Sequence, residues 1–247
     1  MRIPRFYLPQ VLQTKQTLEL PSELFRHAIQ VLRMKTGESL IIFNGEGGEF
    51  HAQLTEVGKR KATADITGFD PANRESNLQL TLVQSIIKPD KMDMAIQKCV
   101  ELGVTHIQPI ISQRSVVRMG RDKLDKKCKH WQAVVISACE QSGRTRIPEI
   151  LAPAGFTDWL ETPLNNDETR MMLMPGDYPR IHSLQDTITE SPHISLMIGP
   201  EGGFTDDEVE LCLKKDIATV SLGPRILRAE TAAITVVSLL QNHFGDL

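Results

Sequence analysis

Two segments near the C-terminus follow one plan. An apolar run is cut by Gly-Pro, a short loop follows, and a helical pattern begins. The first is Ile198-Gly199-Pro200-Glu201-Gly202-Gly203-Phe204, and the second is Leu222-Gly223-Pro224-Arg225-Ile226-Leu227-Arg228-Ala229-Glu230-Thr231. Proline lacks the amide hydrogen that a sheet ladder or helix interior needs, so each Gly-Pro ends its strand. After the first loop, Thr205 and Glu208 form a T-x-x-E capping box, which starts a helix at once. A third strand end, Leu173-Met174-Pro175-Gly176, has the same chemistry. Strands alternating with helices call for an α/β layer with a largely parallel sheet. In such a sheet, ligands bind at the C-terminal edge of the strands.

The rest of the second part of the chain fits this frame. Leu80–Val83 and His106–Ile111 read as strands, as do Met171–Met174, Ile194–Gly199 and Thr219–Leu222. A helix begins near Pro89 and buries Met92, Ala95, Ile96, Cys99 and Leu102, with Gly103 just past its end. A long helix covers about Asp122–Gln141 with the stripe Trp131, Val134, Val135, Ala138 and Cys139, and two more span about Asp206–Lys215 and Glu230–Phe244. The first ~70 residues differ. Leu40–Phe43, Phe50–Val57 and Ala62–Phe69 read as short strands, with the turn Asn44-Gly45-Glu46-Gly47-Gly48 between the first two. One helix opens at Pro21-Ser22 and carries Leu24, Phe25, Ala28, Ile29 and Leu32. Short strands with glycine turns suggest a small β-barrel. The expected division is residues 1–72 and 73–247, at Pro71-Ala72-Asn73.

Composition narrows the class. The chain has 247 residues, 40% hydrophobic and 24% charged, which is enough apolar material for a globular core. Pro4, Arg5 and Pro9 break the N-terminal apolar stretch, so it is not a signal peptide. No apolar run approaches the roughly 20 residues of a membrane helix, and a cytoplasmic protein is expected. The cysteines Cys99, Cys128, Cys139 and Cys212 form no C-x-x-C pair, so no metal is expected, and three of them read as buried reduced thiols in helices. A net charge of −3 argues against indiscriminate coating of nucleic acid. A local basic stretch nevertheless holds Arg114, Arg118, Arg121, Lys123, Lys126, Lys127 and Lys129, with Arg144 and Arg146 beyond it. From charge alone this is equally a solvated helix face.

The Gly-Pro loops are not phosphate cradles. No G-x-x-x-x-G-K-[ST] occurs, nor a G-x-G-x-x-G after a strand. Any one loop reads as a tight turn, but three at adjacent sheet edges read as a ligand site. Glycine backbones approach a ligand closely, and Leu, Ile and Met suit an apolar small cofactor with a few polar contacts.

The ordered pair GPEGGF and LGPRILRAETA resembles the RsmE family of the SPOUT superfamily. So do Gln97-Lys98-Cys99-Val100-Glu101-Leu102-Gly103-Val104, Ala138-Cys139-Glu140-Gln141-Ser142-Gly143-Arg144, Pro4-Arg5-Phe6-Tyr7, and His27 with Val31-Leu32-Arg33. One position departs: Gln113 precedes Arg114 where the family often carries glutamate. The resemblance implies a PUA-like RNA-binding barrel, an α/β SPOUT domain with a deep trefoil knot, and a homodimer. It implies S-adenosyl-L-methionine (SAM) as cofactor, and N3 of a uridine in 16S ribosomal RNA of the small subunit as target (position 1498 by the family's pattern). The cofactor would be held by Leu173, Met174, Pro175, Ile198, Gly199, Pro200, Glu201, Gly202, Gly203, Ser221, Leu222, Gly223, Ile226, Leu227, Arg228 and Thr231.

Uridine N3 carries a proton and is a weak nucleophile while neutral. Arg228 is the expected stabiliser of negative charge on the flanking carbonyls, or else a phosphate or structural contact. Glu201 and Glu230 are the expected proton acceptors, or else bind amides at helix starts. RNA contacts are expected from Arg2, Arg5, Arg33, Arg114, Arg118, Lys123, Lys127, Arg144, Arg146 and Arg225, with His27 a weaker one. Two other readings stay open: a SPOUT enzyme modifying another RNA nucleotide, and a non-catalytic RNA-binding assembly factor. A nucleotide-utilising enzyme is disfavoured by the missing phosphate motifs.

Overall fold

The computed structural model describes residues 3–115, 120–164, 167–184 and 193–247. The chain forms two compact units, one of residues 1–75 with 139–147, the other of 76–138 with 148–247.

The first unit is built on β1 (Arg5–Tyr7), β2 (Thr17–Glu19), β3 (Ser39–Phe43), β4 (Glu49–Val57) and β5 (Ala62–Asp70), in one sheet of order β1-β3-β4-β5-β2. All neighbours are antiparallel except β1 and β3. Alternation selects the buried face: Leu40 and Ile42, then Phe50, Ala52 and Leu54, then Ala62, Ala64 and Ile66 point into one apolar cluster. Burying each large side chain contributes about 1.5–3 kcal/mol. The three-residue strands β1 and β2 are too short for a pattern to announce.

The helix over residues 21–32 departs from expectation. Its α-helical part, α1, covers only Ser22–Phe25, and Arg26–Val31 is a π-helix. The Leu32 amide donates to His27 O, five residues back. That wider turn rotates the stripe. Leu24, Phe25 and Ala28 stay buried, whereas Leu32 is turned to solvent.

Residues 139–147 join this unit through charge. Buried Glu49 takes an ion pair from Arg5 and one from Arg74, and Arg74 also donates to Gly143 O at 3.0 Å. Arg144 donates through Nε to Glu75 at 2.9 Å, and the other oxygen of Glu75 accepts the Thr145 and Arg146 amides. Buried charges are tolerated when paired and hydrogen-bonded in this way.

The second unit holds β6 (Gln79–Ser85), β7 (His106–Ile111), β8 (Glu149–Ile150), β9 (Ala154–Gly155), β10 (Glu168–Leu173), β11 (His193–Ile198) and β12 (Ala218–Val220). The sheet runs β12-β10-β11-β6-β7-β8, with β9 also on β7, and every pairing is parallel. Its helices are α2 (Pro89–Glu101), α3 (Arg121–Ser142), α4 (Phe156–Leu160), α5 (Asp206–Lys214) and α6 (Ala229–Phe244). The expected stripe of α2 is buried through Cys99, and Leu102 is half-buried. Gly103 follows at φ +95°, the left-handed residue that ends the helix.

Register decides where the loops go. Leu173 lies beside Ile198 and beside Val220, and Ile198 lies beside Gln84. The four segments following β10, β12, β11 and β6 therefore leave the sheet side by side at one edge.

Candidate active site

That edge carries a cavity of about 660 Å³. Of the residues expected at the cofactor, Leu173, Met174, Pro175, Ile198, Gly199, Pro200, Glu201, Gly202, Gly203, Leu222, Gly223, Ile226, Leu227 and Arg228 line it. Two expected residues do not. Ser221 is buried behind the wall, where its hydroxyl donates to Tyr178 O at 2.9 Å, and Thr231 faces solvent on α6. Gly223 adopts φ +126°, a conformation that a side chain strains. A Cβ there would also sit 2.9 Å from the Arg180 guanidinium.

The loop after β11 is braced on several sides. Gly203 N donates to Pro200 O at 2.9 Å, closing the turn. Thr205 and Glu208 form the expected capping box at the start of α5. The Phe204 ring is buried against Phe156, centroids 5.6 Å apart. One oxygen of Glu201 accepts the Lys88 amide at 3.1 Å, so this carboxylate sits at the start of α2. Arg114 Nη1 donates to Gly202 O at 3.0 Å and to Phe204 O at 3.2 Å. Next to it, the Gln113 amide donates to Glu208 Oε1 at 2.8 Å. The bond shown at Gln113 is thus a backbone one, and its carboxylate comes from Glu208.

The loop after β12 delivers Arg225, Ile226, Leu227 and Arg228 to the mouth. Arg228 is the residue before α6, its carbonyl accepting the Ala232 amide at 2.8 Å. Among the described residues its guanidinium makes no ion pair. Glu230, in the first turn of α6, is buried yet lines the cavity, and Lys91 Nζ approaches its Oε1 at 3.6 Å. Lys88 and Lys91 were not anticipated, although both line the cavity. They follow β6, which becomes a neighbour of β11 only through the strand order. Two arginines (Arg225 and Arg228), two carboxylates (Glu201 and the buried Glu230) and two lysines thus line a hollow whose other walls are apolar side chains and glycine-proline backbone. Such a site can bind a small molecule and handle a proton and a negative charge beside it.

The expected RNA contacts fare differently. Arg2 and Arg118 lie outside the described residues. Arg5 and Arg144 are not surface groups: their side chains are buried in the ion pairs with Glu49 and Glu75, which occupy the guanidinium edges a phosphate needs. Arg33, Lys123, Arg146 and Arg225 are exposed, and Lys127 lies partly over Trp131, 5.7 Å from the ring centroid. Exposed His27 meets Phe6 edge-on. Glu49, His51 and Asp70 bring possible ligand atoms within 4.8 Å of one another, but Glu49 is already held by two arginines.

Comparison with known proteins fits this geometry. The family profile described as an RNA methyltransferase domain matches residues 74–241, and that of an RNA methyltransferase PUA domain matches residues 20–67. The Ribosomal RNA small subunit methyltransferase E of Buchnera aphidicola subsp. Schizaphis graminum is 37% identical over 246 residues, covering 100% of this chain and 98% of its own. The chain belongs to that family. The Rickettsia conorii member is 35% identical, with 100% of each chain covered. The crystal structure of the Neisseria gonorrhoeae member, bound to S-adenosyl methionine, superposes with a TM-score of 0.91 at 38% identity over the whole of both chains. A methyltransferase structure from Legionella pneumophila, in complex with SAM, gives 0.93 at 39% identity, again over both whole chains. No helix among the described residues is long and apolar enough to cross a membrane.

Proposed function

We propose that the chain is a SAM-dependent methyltransferase that modifies N3 of a uridine in 16S ribosomal RNA of the small subunit. The observation that carries this is the convergence of two Gly-Pro strand ends and the Met174-Pro175 strand end on one hollow of about 660 Å³, next to Arg228 and Glu230. The hollow fits the cofactor: Leu173, Met174, Ile198, Leu222 and Leu227 offer apolar walls, and the glycine segments offer backbone donors and acceptors. When bound, SAM supplies an electrophilic methyl group on a sulfonium. The chain's own residues do the rest. The loops orient, which replaces a random encounter by a fixed approach. Glu230 takes the N3 proton, Lys91 holds that carboxylate in place, and Arg228 stabilises negative charge on the uracil oxygens. Glu201 serves the fold of the cofactor loop through the Lys88 amide.

In the same reading, residues 1–72 form a PUA-like RNA-binding barrel and residues 73–247 a SPOUT domain with a C-terminal trefoil knot. The enzyme works as a cytoplasmic homodimer. Its RNA surface uses Arg33, Lys123, Lys127, Arg146 and Arg225. The test is nucleoside mass spectrometry of small-subunit RNA from a strain lacking the gene. N3-methyluridine should vanish and return on complementation. Its persistence, or loss of a different modified nucleoside, would overturn the assignment.

A further inference from the structure

Arg114 begins the basic stretch and is among the RNA contacts expected from the sequence. The geometry gives it a different role. We propose that Arg114 is a positioning residue that holds the cofactor loop in its binding conformation before any RNA arrives. Three observations converge on it. Its Nη1 donates to two carbonyls of the loop, Gly202 O and Phe204 O, two residues apart. Its aliphatic stem lies on Gly202, where an added Cβ would be 3.4 Å from Arg114 Cβ and 3.5 Å from Cδ. Its chain neighbour Gln113 donates its amide to Glu208 Oε1, while Glu208 Oε2 accepts the Thr205 amide. Residues 113–114, which follow β7, are thus fastened to both ends of Gly202–Thr205.

The physical reason for such a brace lies in the loop itself. Gly202 and Gly203 have more conformational freedom to lose than any other residue type. Gly203 sits at φ +70° and has no heavy atom within 4 Å of its Cβ direction, so side-chain packing does not fix it. The Gly202 and Phe204 carbonyls instead accept from one guanidinium nitrogen, which ties their directions to each other. A cation on two carbonyls makes charge-assisted bonds, stronger than neutral ones. Organising the loop in advance lowers the ordering cost that the cofactor must otherwise meet on binding.

This inference rests on the reading of the hollow as a SAM site, and its test separates the two. Isothermal titration of SAM into the RNA-free protein is compared for the native chain, Arg114→Ala and Arg114→Lys. Hydrogen exchange of the Gly202–Phe204 amides is followed in the SAM-free proteins. Arg114→Ala should weaken SAM roughly fivefold to tenfold, consistent with loss of a charge-assisted bond at a surface site. It should also speed exchange in the loop. Arg114→Lys, which can still reach one carbonyl, should recover part of both. In methyl transfer, KM for SAM should rise while kcat at saturating SAM changes little. Native-like SAM affinity and loop exchange in Arg114→Ala, with only RNA binding weakened, would return Arg114 to the RNA surface and overturn the inference. So would a loss that lysine does not rescue and that is matched by a fall in melting temperature. A native chain that binds no SAM would instead overturn the reading of the hollow.

Discussion

Replacing Glu230 with glutamine removes one negative charge and almost no volume. The carboxylate is 8% exposed and its partner Lys91 30%, with 3.6 Å between Nζ and Oε1. At an effective dielectric of 20, the bare attraction over that distance is about 5 kcal/mol. Desolvation of the buried carboxylate cancels most of this, and glutamine keeps an oxygen for Lys91 to donate to, so the net stability change should be about 1 kcal/mol. Catalysis is affected differently. A glutamine cannot accept the N3 proton, and losing a positioned base lowers the rate on the order of 10²–10⁴-fold. The assay is single-turnover methyl transfer at saturating SAM and RNA, with the unfolding midpoint and SAM affinity measured in parallel. The expected pattern is a large fall in rate, near-native SAM binding and a small shift in midpoint. A rate within about threefold of native, far less than base removal costs, refutes the proton-accepting role. Glu230 would then be a helix-start carboxylate that Lys91 pairs for structural reasons.

Three further outcomes follow from the same contacts. Glu208→Ala removes the acceptor for both the Thr205 and Gln113 amides and should lower the denaturant-unfolding free energy by about 2–3 kcal/mol, against about 1 kcal/mol for Thr205→Ala. Burial raises the affinity of Glu49 for a proton, but the hydrogen bonds and charges of Arg74 and Arg5 outweigh it and hold its carboxyl below the usual value of 4.5. A depressed folded-state pKa contributes stability that is present above the unfolded value and lost as pH falls through the folded one. Amide protection factors in residues 3–75, corrected for the intrinsic exchange rate, should therefore fall in acid below about pH 4.5, and Glu49→Gln should flatten that dependence. Burial pushes the Cys139 thiol up to about 12 and the Cys212 thiol to about 11, and Cys99 is fully buried. Iodoacetamide at neutral pH should modify half-buried Cys128 first and reach the other three only on unfolding.

Much of the hollow at the sheet edge was legible because its signals are local. Gly-Pro ends a strand wherever it occurs, Thr205 and Glu208 announce a helix within four residues, and alternation fixes the inward face of β3, β4 and β5. What stayed hidden depends on partners distant in the chain. Lys88 and Lys91 reach the hollow only because β6 pairs with β11, and strand order leaves no trace in a local pattern. Arg5 and Arg144 look like surface cations by residue type. They are buried because Glu49 and Glu75, each tens of residues away, neutralise them. Arg114 lies in a basic run that suggests RNA, while the carbonyls it holds are about 90 residues further on. The π-helical turn that exposes Leu32 differs from an α-helix by one residue per hydrogen bond, too fine a difference for an apolar stripe to record.

The most direct test is methyl transfer in vitro. Small subunits from cells lacking the modification are incubated with the chain and methyl-labelled SAM, and their RNA is digested to nucleosides. The label should appear in N3-methyluridine alone, and should depend on both Gly-Pro loops, falling when Gly223 is replaced by valine. Label on a ribose, on another base, or on none of the RNA would contradict the assignment.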